Sequence, residues 1–388
     1  MFPLALSELW HWTGDEAALR RYRTTAERAL EWARTSGDED DDGFLEYRQR
    51  SPVGIKNQGW KDSHEAIRYA DGSLVENPIA TVEEQAFHYL ALCRMAEICV
   101  ALDDDRAADG HLERARSLRD RWRQAYWMPD ERFYAMALDP DKRQVTSIGS
   151  NAGHALAAGL VPPEDAADVI RRLMATDMYS GWGIRTLSNT HPSYNPWAYH
   201  LGTVWPVENA TFALGFKRYG FDAEADRLIG SMLEAASLLP GQRLPELIGG
   251  QARDEVPYPV AYPDANAPQA WSASATLQLV QIMLGLYPFA PLNILALVRP
   301  RLPLGVDQLT LNNLRVGRAR VSLRFERRPD GSAAHKVVER RGRLLVVEAA
   351  PPDAASPASF REAASRAIVA NAPGRLARAG RIALGLID

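Results

Sequence analysis

Residues 79–99 read IATVEEQAFHYLALCRMAEIC, and residues 103–126 read DDDRAADGHLERARSLRDRWRQAY. Apolar side chains recur every three or four positions in the first segment, and again from Leu112 to Trp122 in the second. This spacing collects the apolar side chains on one face of a helix. Because only a short acidic turn separates the segments, they predict two antiparallel helices packed as a hairpin.

The same pattern extends over most of the chain. It predicts helices at 2–14 and 16–35, 147–158 and 163–174, 205–219 and 222–239, and 268–287. The intervening stretches 36–78, 178–204 and 240–267 are long and rich in Gly, Pro and aromatic residues, and loops of this length are usually functional or disordered. Helical hairpins with long loops at one end predict a mainly α fold, an (α/α)6 toroid. An open helical solenoid would give the same periodicity.

The pattern changes near the C-terminus. Short apolar runs alternate with turn signals such as PDGS, which is typical of short strands. We therefore predict a toroid over residues 1–290, a small β module over 291–350, and a helical or mobile tail over 351–388.

Composition limits the function classes. The 388 residues carry a formal net charge of -4, which gives no electrostatic reason to expect nucleic acid or an anionic membrane as a partner. The sequence contains neither a signal peptide pattern nor an apolar run long enough to span a membrane. Cys93 and Cys99 lie on different faces of one predicted helix, so we expect no disulfide. These features predict a cytoplasmic protein with a neutral ligand.

The first long loop contains NQGWKDS, residues 57–63. Trp60 can stack on the apolar face of a sugar ring, and an acid held against an aromatic wall keeps its neutral form, as a general acid must. Asp62 is thus a candidate acid. It could equally cap a helix that starts at Ser63. Glu65 and Asp71 are further carboxylates in this loop that could replace it.

The second long loop runs through GWGIRTLS (181–188) and YNPWAYHLGTVWP (194–206). Its aromatic residues are interleaved with polar ones, which is more typical of a carbohydrate subsite than of an aliphatic core. The third loop contains RLPELIGG (243–250), where Glu246 stands among apolar neighbours. A carboxylate there is costly unless it is used or paired, and a salt bridge to Arg243 is the alternative to a catalytic role.

The fifth motif is PYPVAY…PQAW (257–271). These five motifs resemble, in order, the signatures of bacterial glycogen-debranching or amylo-α-1,6-glucosidase-type proteins. Trehalases, mannosylglycerate hydrolases and processing α-glucosidases are more distantly similar. The resemblance covers about residues 1–345. It implies a glycoside hydrolase that cleaves an α-glucosidic bond with inversion and without a cofactor, acting on an oligosaccharide or a small α-glucoside.

The resemblance implies that Asp62 is the general acid and that Glu246 is the general base. The residues that we expect to bind substrate are Gln58, Trp60, Lys61, Asp71, Trp182, Tyr194, Asn195, His200, Trp205, Gln269 and Trp271.

The chain also departs from this family. Val207 and Glu208 stand where the family has a His-Asp pair, and Met1 corresponds to a point inside the toroid. We therefore expect that another polypeptide could supply an N-terminal half, and that the chain alone could be an inactive sugar-binding fragment. A sugar isomerase or a phosphorylase on the same toroid is a further alternative.

Metal binding is not expected. The eight histidines show no metal-ligand spacing. Asp38, Asp40, Asp42 and Gly43 match the start of a calcium loop, but Gln49 stands where a bidentate acid is required, so we predict a solvated acidic turn, with a bound Ca²⁺ as the alternative.

Overall fold

The computed structural model of the protein describes residues 1–349 and 374–383. Ten α-helices lie within these ranges. They are α1 Phe2–Thr13, α2 Glu16–Thr35, α3 Val82–Ala101, α4 Asp105–Tyr126, α5 Gly153–Ala158, α6 Pro163–Leu173, α7 Pro206–Arg218, α8 Asp222–Leu238, α9 Ala270–Met283 and α10 Arg375–Ala383. The helices predicted from periodicity are thus confirmed, with shifted ends.

The first nine helices form two layers. The odd-numbered helices α1 to α9 pack side by side in chain order, and each even-numbered helix packs against the one before it. Burial explains this order: α3 is covered on nearly its whole circumference, whereas α4 buries only one stripe of side chains, including Leu112, Ala115 and Trp122. The described residues supply four hairpins and a fifth inner helix, α9. Closure into a six-hairpin toroid remains a prediction.

Local sequence defines the hairpin turns. α1 ends at Gly14, whose φ of 69° lies in the left-handed region that glycine tolerates. Asp15 then caps α2 by accepting a hydrogen bond from the Ala18 amide at 3.0 Å. Asp104 caps α4 in the same way, through the Ala107 amide at 3.1 Å.

Two groups of strands complete the described fold. The short strands within the first half are β1 Ala80–Thr81, β2 Trp127–Met128, β3 Phe133–Tyr134, β4 Ala137–Leu138 and β5 Gln144–Val145. The strands after α9 are β6 Leu286–Phe289, β7 Ile294–Val298, β8 Gln308–Val316, β9 Ala319–Arg327, β10 Ala333–Arg341 and β11 Leu345–Ala349. The sequence pattern signalled β7 to β11 of the second group. It missed β6 and the whole first group, whose strands of two residues are too short to show alternation.

The later strands form two sheets. β8, β9 and β10 make an antiparallel sheet in chain order, whereas β7 pairs with β6 antiparallel and with β11 in parallel. The expected helix end at residue 287 is wrong, since α9 stops at Met283 and β6 starts at Leu286. Gly285 turns the chain there with a φ of 61°, and a Cβ at this position would lie 2.0 Å from the Val298 carbonyl oxygen.

The predicted division into units at 290 and 350 stays a prediction. Of the predicted tail, residues 351–373 and 384–388 lie outside the described residues. The described part of it, α10, packs on α3 and buries Ala379 and Ile382. No helix within the described ranges combines the length and the hydropathy needed to cross a membrane.

A lysine lies at the predicted acidic turn. The Lys142 ammonium is 2.9 Å from Asp40 Oδ2 and 2.8 Å from Asp42 Oδ2, and it also pairs with Glu46. Asp38 accepts hydrogen bonds from backbone amides of the same turn. The lysine thus provides the positive charge that a calcium ion would bring to these carboxylates.

A buried charged network joins α1 to α3. The fully buried Glu97 carboxylate accepts hydrogen bonds from Ser7 Oγ at 2.6 Å, from His11 Nε2 and from Arg94 Nη1 at 3.3 Å. Burial lowers the pKa of His11, but the neighbouring Glu97 and Glu8 outweigh it and raise that pKa to about 9. His11 is therefore charged at neutral pH, and the network depends on Glu97.

Replacing Glu97 with Ala is expected to lower the free energy of unfolding by about 3–5 kcal/mol, because the substitution removes the buried anion and leaves His11 and Arg94 with the half-exposed Glu8 alone. Urea denaturation followed by circular dichroism measures this change. Glu113→Ala, at an exposed position on α4, is the matched control and should shift the free energy of unfolding little. An equal effect of the two substitutions would mean that the network contributes nothing specific.

Candidate functional site

The candidate site lies at the N-terminal ends of the inner helices. The loop before α3 carries NQGWKDS, the loop before α7 carries YNPWAYHLGTVWP, and the loop before α9 carries RLPELIGG and PQAW. Side chains from all three loops meet, which brings together motifs separated by about half the chain.

Trp60 stands at the centre of an aromatic cluster. Its ring centroid lies 4.9 Å from that of Trp205, 5.3 Å from His200, 6.0 Å from Trp271 and 6.1 Å from His154, each in an edge-to-face arrangement. Trp205 and His200 are almost completely buried and stack on each other, whereas Trp271 is 37% exposed. Trp60 and Trp271 therefore offer the accessible ring surface, and aromatic faces of this kind bind the apolar face of sugars.

Glu246 is held beside this cluster as an anion. The residue is buried, and its carboxylate accepts hydrogen bonds from Tyr199 Oη at 2.5 Å and from the Asn266 side chain at 2.8 Å and backbone at 3.1 Å. Burial raises the pKa of Glu246, but these hydrogen bonds outweigh it and hold that pKa below its ordinary value. Its partners are Tyr199, Asn266 and Gln269, and Arg243 is not among them, so the alternative of a salt bridge to Arg243 is wrong. An ionised carboxylate in a water-poor site is what a general base requires.

Asp62 has a different environment. It is exposed, and within the described part of the chain its carboxylate has no hydrogen-bond partner. No helix starts at Ser63, since residues 63–79 form turns and isolated bridges, so the alternative that Asp62 caps a helix is wrong. Burial, the hydrogen bond to Glu246 and the negative charges of Glu246 and Asp62 together raise the pKa of Tyr199. Tyr199 therefore lies within electrostatic range of both candidate catalytic carboxylates.

Replacing Tyr199 with Phe is expected to move the acid limb of the kcat/KM profile to higher pH. The substitution removes a hydrogen bond that favours the ionised form of Glu246, so the pKa of Glu246 rises and a base that must be ionised is lost at a higher pH. A pH–rate profile measures the shift. Tyr258→Phe is the control, because that hydroxyl bonds the Leu238 carbonyl instead. If the acid limb did not move in Tyr199→Phe, that limb would not report the ionisation of Glu246.

Three residues expected to bind substrate have contacts that hold the first loop, and their binding role stays a prediction. Lys61 is buried, and its ammonium donates to Asn151 Oδ1 at 2.7 Å and to the Thr186 carbonyl at 2.6 Å. Gln58 is exposed, and its amide donates to the backbone of the same loop. Asp71 accepts hydrogen bonds from Ser73 and forms a turn. These contacts assign all three side chains to shaping the loop.

Three residues of the second loop that were expected to bind substrate also have structural contacts. The Trp182 ring is buried in the core under the Arg253 guanidinium, 4.3 Å from its centroid. Tyr194 donates to the Gly250 carbonyl at 3.0 Å, and Asn195 caps the Trp197 amide at 2.9 Å. The structure does not place Trp182 in the aromatic cluster around Trp60. Tyr194 and Asn195 fix the path of the loop that carries Tyr199.

Gln269 contacts the candidate base Glu246, and His200 belongs to the aromatic cluster. Gln269 caps α9 by accepting from the Ala270 amide, and its side chain also hydrogen-bonds Glu246. His200 Nδ1 is 2.9 Å from Ser63 Oγ. Burial, with the nearby charge of Lys61, lowers the pKa of His200 to about 3, so the imidazole is neutral at neutral pH. It can orient Ser63 but carries no charge.

Sequence reasoning missed Tyr199 and Asn266 as site residues. Tyr199 had a signal, since it stands beside His200 within the aromatic motif. Asn266 had none, because nothing in PDANAP marks one amide as the partner of a carboxylate twenty residues away.

Comparison with known proteins identifies the domain family of this chain. Residues 22–242 match the mannosylglycerate hydrolase MGH1-like glycoside hydrolase domain, a range that contains Asp62 and ends just before Glu246. No curated protein sequence matches the chain.

Solved structures resemble the fold at low sequence identity. A GH78 family rhamnosidase from a Bacillus species superposes with a TM-score of 0.63 and 16% identity over 90% of this chain and 32% of that one. A sialidase superposes with a TM-score of 0.61 and 12% identity over 87% of this chain and 31% of that one. A GH63 mannosylglycerate hydrolase from Thermus thermophilus, in complex with Tris, superposes with a TM-score of 0.53 and 17% identity over 71% of this chain and 75% of that one. The chain thus spans about a third of the length of the first two structures.

These similarities establish the helical fold of the described domain and leave the substrate open. The family match covers more than half of the residues and includes the motif NQGWKDS. This chain belongs to the MGH1-like glycoside hydrolase domain family, a class of enzyme domains.

Proposed function

We propose that this chain hydrolyses an α-glucosidic bond of an oligosaccharide or a small α-glucoside, with the α-1,6 branch of a glucan as the favoured substrate. The observation that carries the proposal is Glu246, a buried carboxylate kept ionised by Tyr199 and Asn266 at the edge of the Trp60 cluster. The choice of an α-1,6 bond rests on the sequence resemblance alone.

The proposed mechanism uses two carboxyl groups in turn. Asp62 donates a proton to the glycosidic oxygen as the bond from that oxygen to the anomeric carbon breaks. Glu246 takes a proton from a water molecule, whose oxygen bonds to the anomeric carbon from the opposite face. The product therefore has an inverted anomeric configuration, and the two carboxyl groups lie about 6.5–9.5 Å apart in enzymes of this type. Proton exchange with solvent restores both groups.

The isomerase alternative receives less support. It calls for histidines that face the sugar, whereas His154 and His200 are both buried behind Trp60. Phosphorolysis is distinguished from hydrolysis by its requirement for phosphate.

A second candidate function is a sugar-binding toroid segment that another polypeptide completes. Apolar side chains are exposed on the first and last inner helices: Phe2 at 41% and Leu9 at 43% on α1, and Leu277 at 74% on α9. A partner seated on α1 and α9 would bury these side chains.

The test is glucose release from α-1,6-branched dextrin, isomaltose, trehalose and glucosylglycerate, with the anomer followed by NMR during early turnover. We expect glucose from the branched dextrin in the inverted configuration. Retention of configuration would contradict the mechanism. No release from any substrate by a chain that melts cooperatively would favour the second candidate, and a melting temperature raised by maltooligosaccharide would then show binding.

A further inference from the structure

We propose that Glu208 is a positioning residue that holds the Trp60 ring and, through it, the general acid Asp62. The inference deepens the proposed hydrolysis and rests on it. Glu208 is the third residue of α7, and its carboxylate is completely buried behind the aromatic cluster.

Side chains from two stretches of the chain, the first long loop and residues 150–154, converge on one oxygen of Glu208. Oε1 accepts from the Trp60 indole Nε1 at 3.0 Å and from Ser150 Oγ at 2.6 Å, and it lies 3.3 Å from His154 Nε2. A hydrogen bond to a carboxylate is stronger than one between neutral groups. The bond therefore fixes both the position and the rotation of the Trp60 ring.

Hydrogen bonds also hold the two residues next to Asp62 in the chain. Lys61 is tied to Asn151 and to the Thr186 carbonyl, and Ser63 is tied to His200 through its hydroxyl. From Trp60 to Ser63, Asp62 is thus the one residue whose side chain lacks a partner in the described part of the chain. Its carboxyl group projects from a segment fixed on both sides, and small displacements of a catalytic group cost rate steeply.

The location of Glu208 suits an anion. The first turn of a helix stabilises negative charge, and the buried Lys61 ammonium lies close enough for Glu208 to raise the Lys61 pKa against the larger opposite effect of burial. A neutral amide at this position would lose both attractions. These attractions oppose the cost of burying the carboxylate, whose second oxygen, Oε2, has no hydrogen-bond partner among the described residues.

The first test observes the contact without any substrate. The indole N–H signal of Trp60 is assigned by its loss in Trp60→Phe, and its chemical shift and hydrogen exchange are then followed by NMR. Glu208→Gln should move this signal upfield and speed its exchange, whereas Thr211→Val, on the same helix, should leave it unchanged. An unmoved signal in Glu208→Gln would overturn the proposal.

The second test asks whether Glu208 acts through Trp60 and on the acid. Glu208→Gln should lower kcat about tenfold in the native background and less than about twofold in Trp60→Phe, because the donor is already absent. The loss should shrink for an aryl α-glucoside whose leaving group needs no proton. Equal losses in both backgrounds, or with both kinds of leaving group, would show a merely structural role. Inactivity of the native chain would refute the proposed hydrolysis, and the indole signal would still decide the Glu208 contact.

Discussion

Replacing Glu246 with Gln is expected to lower kcat for α-glucoside hydrolysis by about 10³-fold or more, the range in which loss of a general base falls. An amide cannot accept a proton from water at neutral pH. The amide oxygen can still accept from Tyr199, but the amide nitrogen then faces the two donors of Asn266, so both hydrogen bonds from Asn266 are lost. The measurement is kcat with the branched dextrin, together with the melting temperature.

The matched control is Glu255→Gln, at an exposed position in the same long loop. It should keep full activity and the same melting temperature. If Glu246→Gln kept more than about a tenth of kcat, Glu246 would not be the base. A fall in kcat matched by unfolding would call for the milder Glu246→Asp to separate the two effects.

Replacing Asp62 with Asn is expected to lower kcat about 10³-fold on substrates with a sugar leaving group. An alkoxide leaves poorly unless it is protonated, so the loss should be much smaller for an aryl α-glucoside with an acidic phenol. This dependence on the leaving group is specific to a general acid. Folding should be unchanged, because the Asp62 side chain is exposed and without a partner in the described residues.

Asp71→Asn and Glu65→Gln are the controls for Asp62, since both carboxylates lie in the same loop and were alternatives for the acid. We expect both variants to retain kcat. A loss in either of them that depends on the leaving group, with Asp62→Asn active, would transfer the acid role to that residue.

The helices were the most predictable part of the molecule. Repeats such as those from Leu112 to Trp122 report one buried face, and a buried face is what a helix in a two-layer fold needs. The motifs also identified the loops that meet. Periodicity could not show which loop side chains face the ligand: Lys61 turns inward to Asn151, and Trp182 packs in the core, although each stands in a motif as polar or aromatic as its neighbours. The direction of a loop side chain depends on partners that are distant in sequence.

The ammonium group of Lys142 is the counter-ion for the carboxylates at the start of the first long loop. A loop held by calcium depends on the supply of that ion, and a chelator can strip it. A loop held by an ammonium group needs no supply of metal ion and is not affected by a chelator, because the cation is a side chain of the same polypeptide. Its stability is instead open to chemical modification of a single amine.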